Sequence, residues 1–586
     1  MPTSIVNADA LLAIDVGAAN TRAFFFDAVE GVYRFVAVGE AVSTYAPPVN
    51  DVSEGVHQAI HRLEQISGRQ FIRPVDEILI MPTTADNNGV DKVAATISAA
   101  APLKIVSFGL LEEASLESAR NLAGTTYGRL VDSISMNDRR HLSGNIDDLM
   151  RLAPDLIVVA GGTDGGASKS VFKLLDPLGL ACLLQPLNQR PHILYVGNQD
   201  IAPEIQSTFA AYTTVHTAPN IRPALEQEQL GPAEGRLREI FRRIHTKRDT
   251  GINQLDVWSE GRLLPAAAGF SRVVQFLDQI FEPTKGVLGI DVGAATTNLA
   301  VSFPGHGLRQ RIYSPFGLGA PAGNLLASGK LAEVMRWLSV SISETDVRDY
   351  LLHKGLYPNS LPVTAEELNL EQALAREIIR AAVKGLRPSF PKGLVGSGPG
   401  LLPWFEPIVA AGSVLTNAPT RGQSLLMLLD GLEPTGISTV ALDHKNMLAP
   451  LGALAEINPL LTVQVLESGA LHSLGTVISP VGSARPGTPI LRVRLSGSEG
   501  EEKTLDIKAG MLAAIPLPAG QTANLHLQPL HRFDVGMGGA GRGGKLKVVG
   551  GSLGVVIDAR GRPLRLSFDP ERRRDQNKKW LAALGN

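Results

Sequence analysis

Apolar and polar positions along the chain fall into a few recurring patterns. Short, nearly unbroken apolar runs end at glycine turns: LLAID before Gly17, VLGID before Gly293, and the runs RAFFFD (22–27) and NLAVSF (298–303) that follow. Runs of this kind predict strands buried on both faces. YRFVAV (33–38) and GLRQRIY (307–313) complete the two sets, so each reads as strand, tight glycine turn, strand, strand. Across residues 76–125 and 155–215, EILIMP, LKIVSFGL, DLIVVAGG and HILYVGN alternate with helical stretches, predicting an α/β layer set into the first half. EQALAREIIRAAVKGL puts Leu374, Ile378, Ile379 and Val383 on one helical face. RLREIFRRIHTKR does the same for Leu237, Ile240, Phe241 and Ile244, with a solvated basic remainder. From about residue 462 strand-like runs alternate with turn signals (GTVISPVG, PILRVRL, KTLDIKAG, ANLHLQPL, LGVVIDARG), predicting an all-β module. The tail, PERRRDQNKKWLAALGN, reads as a basic surface helix.

The two glycine-turn sets are copies. IDVGAA occurs at Ile14–Ala19 and again at Ile290–Ala295, and the aspartates Asp15 and Asp291 are 276 positions apart. That spacing is too long for a solenoid and fits two homologous lobes. Gly17 and Gly293 remove a side chain where backbone must come close to a ligand, and successive N–H groups in such a turn make an anion nest. A carboxylate beside phosphates needs a hard cation between them, and Mg²⁺ takes oxygen ligands while keeping its waters. The doubled DxG turn therefore points to nucleotide with Mg²⁺. A lone copy would read equally well as a plain hairpin. LVGSGPGLLP (394–403), with Gly396, Ser397 and Gly398, follows the helix ending near Leu386 and reads as a place for a flat ring against backbone.

Composition narrows the class. The 586 residues are 44% hydrophobic and 19% charged, enough for several cores, and the net charge of −2 lacks the basic footprint of a dedicated nucleic-acid binder. One cysteine, Cys182, excludes an intrachain disulfide framework and favours a reducing compartment, so a cytoplasmic location is expected. No signal-like start and no run of 18 apolar residues is seen, so no membrane partner is expected. Other glycine motifs fail on context. Gly536, Gly538 and Gly541 form GxGxxG without a following helix, and AGGTDGG has Lys169 three residues beyond Gly166, unlike a P-loop. No zinc-type His spacing occurs, and GGSLG (550–554) precedes a strand, so covalent catalysis is not expected.

The order of motifs resembles a known group. IDVGAANTR is similar to the first phosphate motif of the actin-like ATPase superfamily, GIDVGAATTNLAV to its second and LVGSGPGLL to its adenosine motif. Within that superfamily LIVVAGGTDGG (156–166), ILYVGNQ (193–199) and DVGAATTN (291–298) resemble the MutL family of glutamate mutase accessory proteins, over roughly residues 10–460. The resemblance implies an α/β, two-lobed actin-like (ribonuclease H-like) ATPase fold with an α/β insertion and a C-terminal all-β module. Its expected divisions are 1–90 (start of the first lobe), 91–283 (insertion and return), 284–460 (second lobe), 461–568 (β module) and 569–586 (basic tail).

It also implies function. The expected role is an ATP-binding chaperone or reactivase of an adenosylcobalamin-dependent carbon-skeleton mutase such as glutamate mutase, a slow ATPase at most, with the mutase as partner and the β module free to dock it or a second copy in a homo-oligomer. Asp15, Asp291 and Asn298 are the expected catalytic set, with Asp15 and Asp291 toward Mg²⁺. Gly17, Ala18, Asn20, Thr21, Gly293, Ala294, Thr296, Thr297, Gly396, Ser397 and Gly398 are expected around ATP, and Gly161, Gly162 and Asp164 form a further binding loop. Two departures from the superfamily pattern matter: Asn298 stands where an acid is usual, and Ala18 where many relatives carry a hydroxyl. A small-molecule kinase, with Asp164 as its base, and a non-catalytic scaffold are the alternatives.

Overall fold

The repeated hairpin builds two sheets of one design. A computed structural model describes residues 9–327, 329–396, 398–497 and 502–585. The chain divides into two units, one of Met1–Ser43, Gly55–Thr96 and Ala266–Asn586, the other of Thr44–Glu54 and Ile97–Pro265. In the first, β1 (Leu11–Val16) is buried along its whole length, as a central strand covered on both faces must be. It pairs antiparallel with β2 (Asn20–Val29), β2 pairs with β3 (Val32–Val42), and β4 (Lys92–Ile97) lies on the other side of β1. EILIMP, expected as a strand of the inserted layer, forms none: Leu79 makes a single bridge to Ile72, Ile78 is half exposed, and Pro82 removes a ladder donor.

The second unit is a parallel sheet of β5 (Leu103–Gly109), β6 (Gly128–Ser135), β7 (Leu156–Ala160), β8 (His192–Tyr195) and β9 (Val215–Thr217), in the order β6-β5-β7-β8-β9. Counted from its first strand this is 2-1-3-4-5, a doubly wound order. Phe108, Val159 and Tyr195 pack with Val171, Leu174 and Leu178 of helix Lys169–Leu184, while Leu237, Ile240, Phe241 and Ile244 of helix Gly231–Arg248 are buried, Arg243 and Arg248 are exposed, and Arg236, Arg238 and Arg242 are half-buried. The segment ends in a two-residue strand, β10 (Leu264–Pro265).

The hairpin then returns as β11 (Gly286–Val292), β12 (Thr297–Phe303) and β13 (Gly307–Tyr313). β14 (Phe405–Ala411) runs parallel to β11, and β15 (Gly436–Leu442) parallel to β14. The order β13-β12-β11-β14-β15 completes the ribonuclease H-like sheet of a two-lobed actin-like fold. Helix Ala365–Leu386 covers this sheet, started by a capping box between Thr364 and Glu367. Helices Ala266–Ile280 and Leu448–Leu454 cross at Gly269 and Gly452, where a Cβ on Gly452 would lie 1.9 Å from the Gly269 carbonyl oxygen.

The C-terminal β segment shares its strands between two sheets. β16 (His472–Ser479), β22 (Val555–Asp558) and β19 (Leu512–Ile515) extend the second-lobe sheet beyond β15, while β17 (Pro489–Gly497), β18 (Glu502–Lys508), β20 (Thr522–Pro529) and β21 (Gly544–Val549) form their own antiparallel sheet. The tail forms helix Pro570–Ala583, but not a free one: Trp580 and Leu584 join the second-lobe core, and the Arg560 guanidinium lies 4.7 Å from the Trp580 ring centre. Beneath it runs a buried ion network: Asp430 takes Arg376 and Arg560, each at 2.7 Å, and Asp558 takes Arg560 at 2.8 Å and Arg562 at 2.6 Å. Among the described residues no helix is long and apolar enough to cross a membrane.

Candidate functional site

Both DxG turns adopt one geometry. Gly17 N–H donates to the Asn20 carbonyl and Gly293 N–H to the Thr296 carbonyl, each at 2.9 Å. Val16 pairs with Thr21 and Val292 with Thr297, so four residues turn each corner. The N–H groups of Ala18, Ala19, Ala294 and Ala295 meet no acceptor among the described residues, whereas the Ala19 and Ala294 carbonyls accept from Ser43 and Gly319. Each turn is thus anchored through its oxygens and leaves donors for an anion.

Three carboxylates gather beside these turns. Asp15 and Asp291 end the two equivalent strands, and Asp443 follows β15. Parallel pairing puts the ends of β11, β14 and β15 at one sheet edge: Asp291 registers with Ala411, and Asp443 N–H donates to the Ala410 carbonyl at 2.8 Å. Asp15 is buried and accepts from the Thr96 hydroxyl at 2.7 Å. Asp443 accepts from the Met447 and Leu448 N–H groups, both at 2.9 Å, capping helix Leu448–Leu454. The Asp291 carboxylate accepts no hydrogen bond from the described residues.

Desolvation and mutual repulsion follow from this crowding. Burial, then the charges of Asp15 and Asp443, push the Asp291 carboxyl up to about 7. Burial raises Asp443 to about 6 despite its two backbone donors, and raises Asp15 despite Thr96 and Arg22. Arg22, opposite Asp15 on β2, is the nearby positive group and is shared with Glu40 at 2.7 Å. At the matching place on β12 stands Asn298, fully buried, with both side-chain polar atoms unpartnered, as are the Thr21 and Thr297 hydroxyls. Buried polar groups without partners mark room for a ligand or its waters. Among the described residues no three His, Cys, Asp or Glu side chains sit close enough to hold a metal ion directly. The donor set fits a cation that keeps its waters, as Mg²⁺ does.

A cleft of about 160 Å³ opens beside this edge, lined by Asn20, Gly293, Ala294, Lys354, Glu371, Gln372, Ser413 and Asn417 among others. Lys354 and Glu371 form a nearly buried pair at 3.0 Å, and the Tyr350 hydroxyl donates to Glu371 at 2.7 Å. β14 delivers Gly412 and Ser413 here. Gly412 has φ +103°, its N–H is held by the Asn446 side chain at 2.8 Å, and a Cβ on it would lie 2.2 Å from the Val292 carbonyl oxygen.

The expected adenosine motif lies before β14. Gly396 and Gly398 precede β14, whose first residue, Phe405, pairs with Gly286 at the opposite end of β11 from Asp291. Gly396 packs against the Trp404 ring instead, and Ser397 lies outside the described residues. At the other end of β14 the buried strand runs through Ala411 and Gly412 into the helix Ser413–Thr416, and Ser413 lines the cleft. Asp443 was missed, because it has no counterpart in the repeated hairpin.

Gly161, Gly162 and Asp164 lie in the other unit. Asp164 accepts from the Asn220 side chain at 2.8 Å and from Gln199 N–H at 3.1 Å. These bonds tie the AGGTDGG loop to its neighbours.

A family model described as MutL protein matches residues 11–469. The protein MutL of Clostridium tetanomorphum is 24% identical over 500 residues, covering 78% of this chain and 98% of its own length. Among solved structures, the ATP-dependent caprolactamase from Pseudomonas jessenii aligns at 11% identity and TM-score 0.30 (85% of this chain, 81% of its own). Xylulose kinase from Bifidobacterium adolescentis aligns at 12% and 0.27 (80% and 96%). Likeness this loose adds nothing to the topology described above.

Proposed function

Because the chain belongs to the MutL family, we propose that it is an ATP-binding accessory factor, a chaperone or reactivase, of an adenosylcobalamin-dependent carbon-skeleton mutase such as glutamate mutase. The observation that carries the nucleotide part is the convergence of Asp15, Asp291 and Asp443 on two turns with free N–H donors. In this reading Gly17–Asn20 and Gly293–Thr296 hold phosphate oxygens through backbone N–H groups. Asp15 and Asp291 would hold the water shell of Mg²⁺, which when bound would neutralise phosphate charge. Gln372, Ser413 and Asn417 line the base and ribose side. Asn298 accepts from a water through its carbonyl but brings no charge to draw off a proton, which supports slow hydrolysis. The small-residue crossing at Gly269 and Gly452 lets the two lobes' helices bear directly on one another, so closure over nucleotide reaches surfaces away from the cleft. A partner that prefers one closure state must then change its affinity with nucleotide, by about 5- to 150-fold for a coupling of about 1–3 kcal/mol.

Calorimetry with Mg²⁺–ATP tests the nucleotide part. The wild-type chain should bind one equivalent, and Asp15→Ala and Asp291→Ala should each lose affinity while keeping the wild-type circular dichroism spectrum. Undiminished binding in both variants would overturn it.

A further inference from the structure

The doubly wound unit carries a second cavity, in a different place from the nucleotide cleft. It measures about 400 Å³ and lies where β5, β6 and β7 end. Its wall is largely apolar: Leu110, Leu111, Ala114, Met136 and Leu225. β5 has β6 on one side and β7 on the other, so consecutive connections leave it in opposite directions. In doubly wound sheets that switch opens a crevice beyond the strands' carboxyl ends, where ligands bind, and cavities of this size hold small organic ligands.

The polar groups around the cavity select charge. None of its lining residues is acidic, and Arg222 is its one charged member. Arg222 is held in place, its Nε donating to the Ser118 hydroxyl at 2.9 Å, its Nη1 to the Leu225 carbonyl, and its Nη2 lying 3.9 Å from Glu228, which is outside the lining. The AGGTDGG loop uses its oxygens elsewhere: the Gly161 carbonyl accepts from Asn198 N–H at 3.0 Å and the Gly162 carbonyl from the Asn220 side chain at 3.1 Å. Its donors are left over. The N–H groups of the lining residues Gly162, Thr163, Ala167 and Ser170 find no acceptor among the described residues. The 16-residue helix Lys169–Leu184 starts at this edge without a side-chain cap. Free N–H donors and one fixed guanidinium, with no carboxylate among the lining residues, make an anion end; the leucine and methionine wall makes an apolar end.

We propose that this cavity binds a phosphate-bearing ligand with a flat heterocyclic body, the phosphate on the Gly162–Ser170 segment and the ring between Leu111, Ala114 and Leu225. It goes beyond the nucleotide reading, because its residues lie wholly in the other unit. The phosphate chemistry is shared by a flavin mononucleotide, a nucleoside monophosphate and the nucleotide tail of a corrinoid, and separate probes tell these apart.

The test is calorimetry on the full chain with FMN, AMP and cyanocobalamin in turn, inorganic phosphate serving as reference, and Mg²⁺–ATP titrated in parallel. One of the three should bind saturably, one per chain, and unaffected by Asp291→Ala. Ser170→Asp sets a negative charge in the first helical turn, which suits the helix but repels the ligand. It should weaken binding by about tenfold or more. Leu111→Trp, at a half-exposed side chain on the rim, should weaken it by filling the slot. Both variants should bind Mg²⁺–ATP as the wild type does. Binding of none of the three probes, or binding untouched by both substitutions, would overturn the proposal. Loss of Mg²⁺–ATP binding alone would strike the nucleotide reading and leave this one standing.

Discussion

Replacing Gly412 with alanine separates the two ends of β14. At φ +103° an alanine is strained by about 1–3 kcal/mol. Its Cβ would lie 2.2 Å from the Val292 carbonyl oxygen, so the backbone must open by about 1.2 Å to reach ordinary contact at 3.4 Å. Val292 immediately precedes the Gly293 turn. A shift of that size carries a hydrogen bond of about 2.9 Å well past the 3.5 Å at which it ceases to be one. A lost charge-assisted hydrogen bond costs about 1.5–3 kcal/mol, or roughly 10- to 150-fold in affinity. Gly396→Ala is the control, because it brings the same kind of strain, φ +75° with a Cβ 2.1 Å from Trp404, at the other end of the strand. Both variants should unfold at lower temperature, but only Gly412→Ala should lose affinity for Mg²⁺–ATP in calorimetry. A folded Gly396→Ala variant that loses ATP while Gly412→Ala keeps it would refute the placement of the base-side segment.

Asn298→Asp restores a charge beside Asp291, and phosphate release should rise; groups of this kind are typically worth about 10²–10³-fold, so no gain would count against the role given to Asn298. The inserted unit should weaken in acid: burial holds His216 and His245 down to about 4, so protons bind the unfolded chain first. The stability present above the ordinary histidine value of about 6.5 is lost as pH falls toward 4, by about 2 kcal/mol per histidine at pH 5, and a denaturant midpoint flat from pH 7 to 5 would contradict this. Asp558→Asn leaves Arg560 and Arg562 buried with too little negative charge, and unfolding in urea should show a loss of about 3–5 kcal/mol; a loss below about 1 kcal/mol would show the network to be dispensable.

Local signals carried the part of the fold that is itself local. IDVGAA could be read twice because a strand, a glycine turn and a returning strand are consecutive, and the matched Gly17 and Gly293 hydrogen bonds follow from that. The place of Gly412 is not legible locally, because which end of β14 faces the cleft depends on its parallel pairing with β11, more than a hundred residues earlier. Asp443 depends on the same long-range pairing through β15. The C-terminal runs declared themselves as strands, but alternation says nothing of partners, so the sharing of β16, β19 and β22 with the second-lobe sheet was invisible. The tail's basic residues masked the anchoring by Trp580 and Leu584, which only the second-lobe core explains.

The central claim is tested most directly by recovery of mutase activity. An adenosylcobalamin-dependent glutamate mutase inactivated by damaged cobalamin is incubated with the chain, intact cobalamin and either Mg²⁺–ATP or Mg²⁺–ADP, and turnover is then followed. Activity should return with ATP, fail to return with ADP, and fail with Asp291→Ala. Recovery that is the same without ATP, or with Asp291→Ala in place of the wild type, would contradict the account.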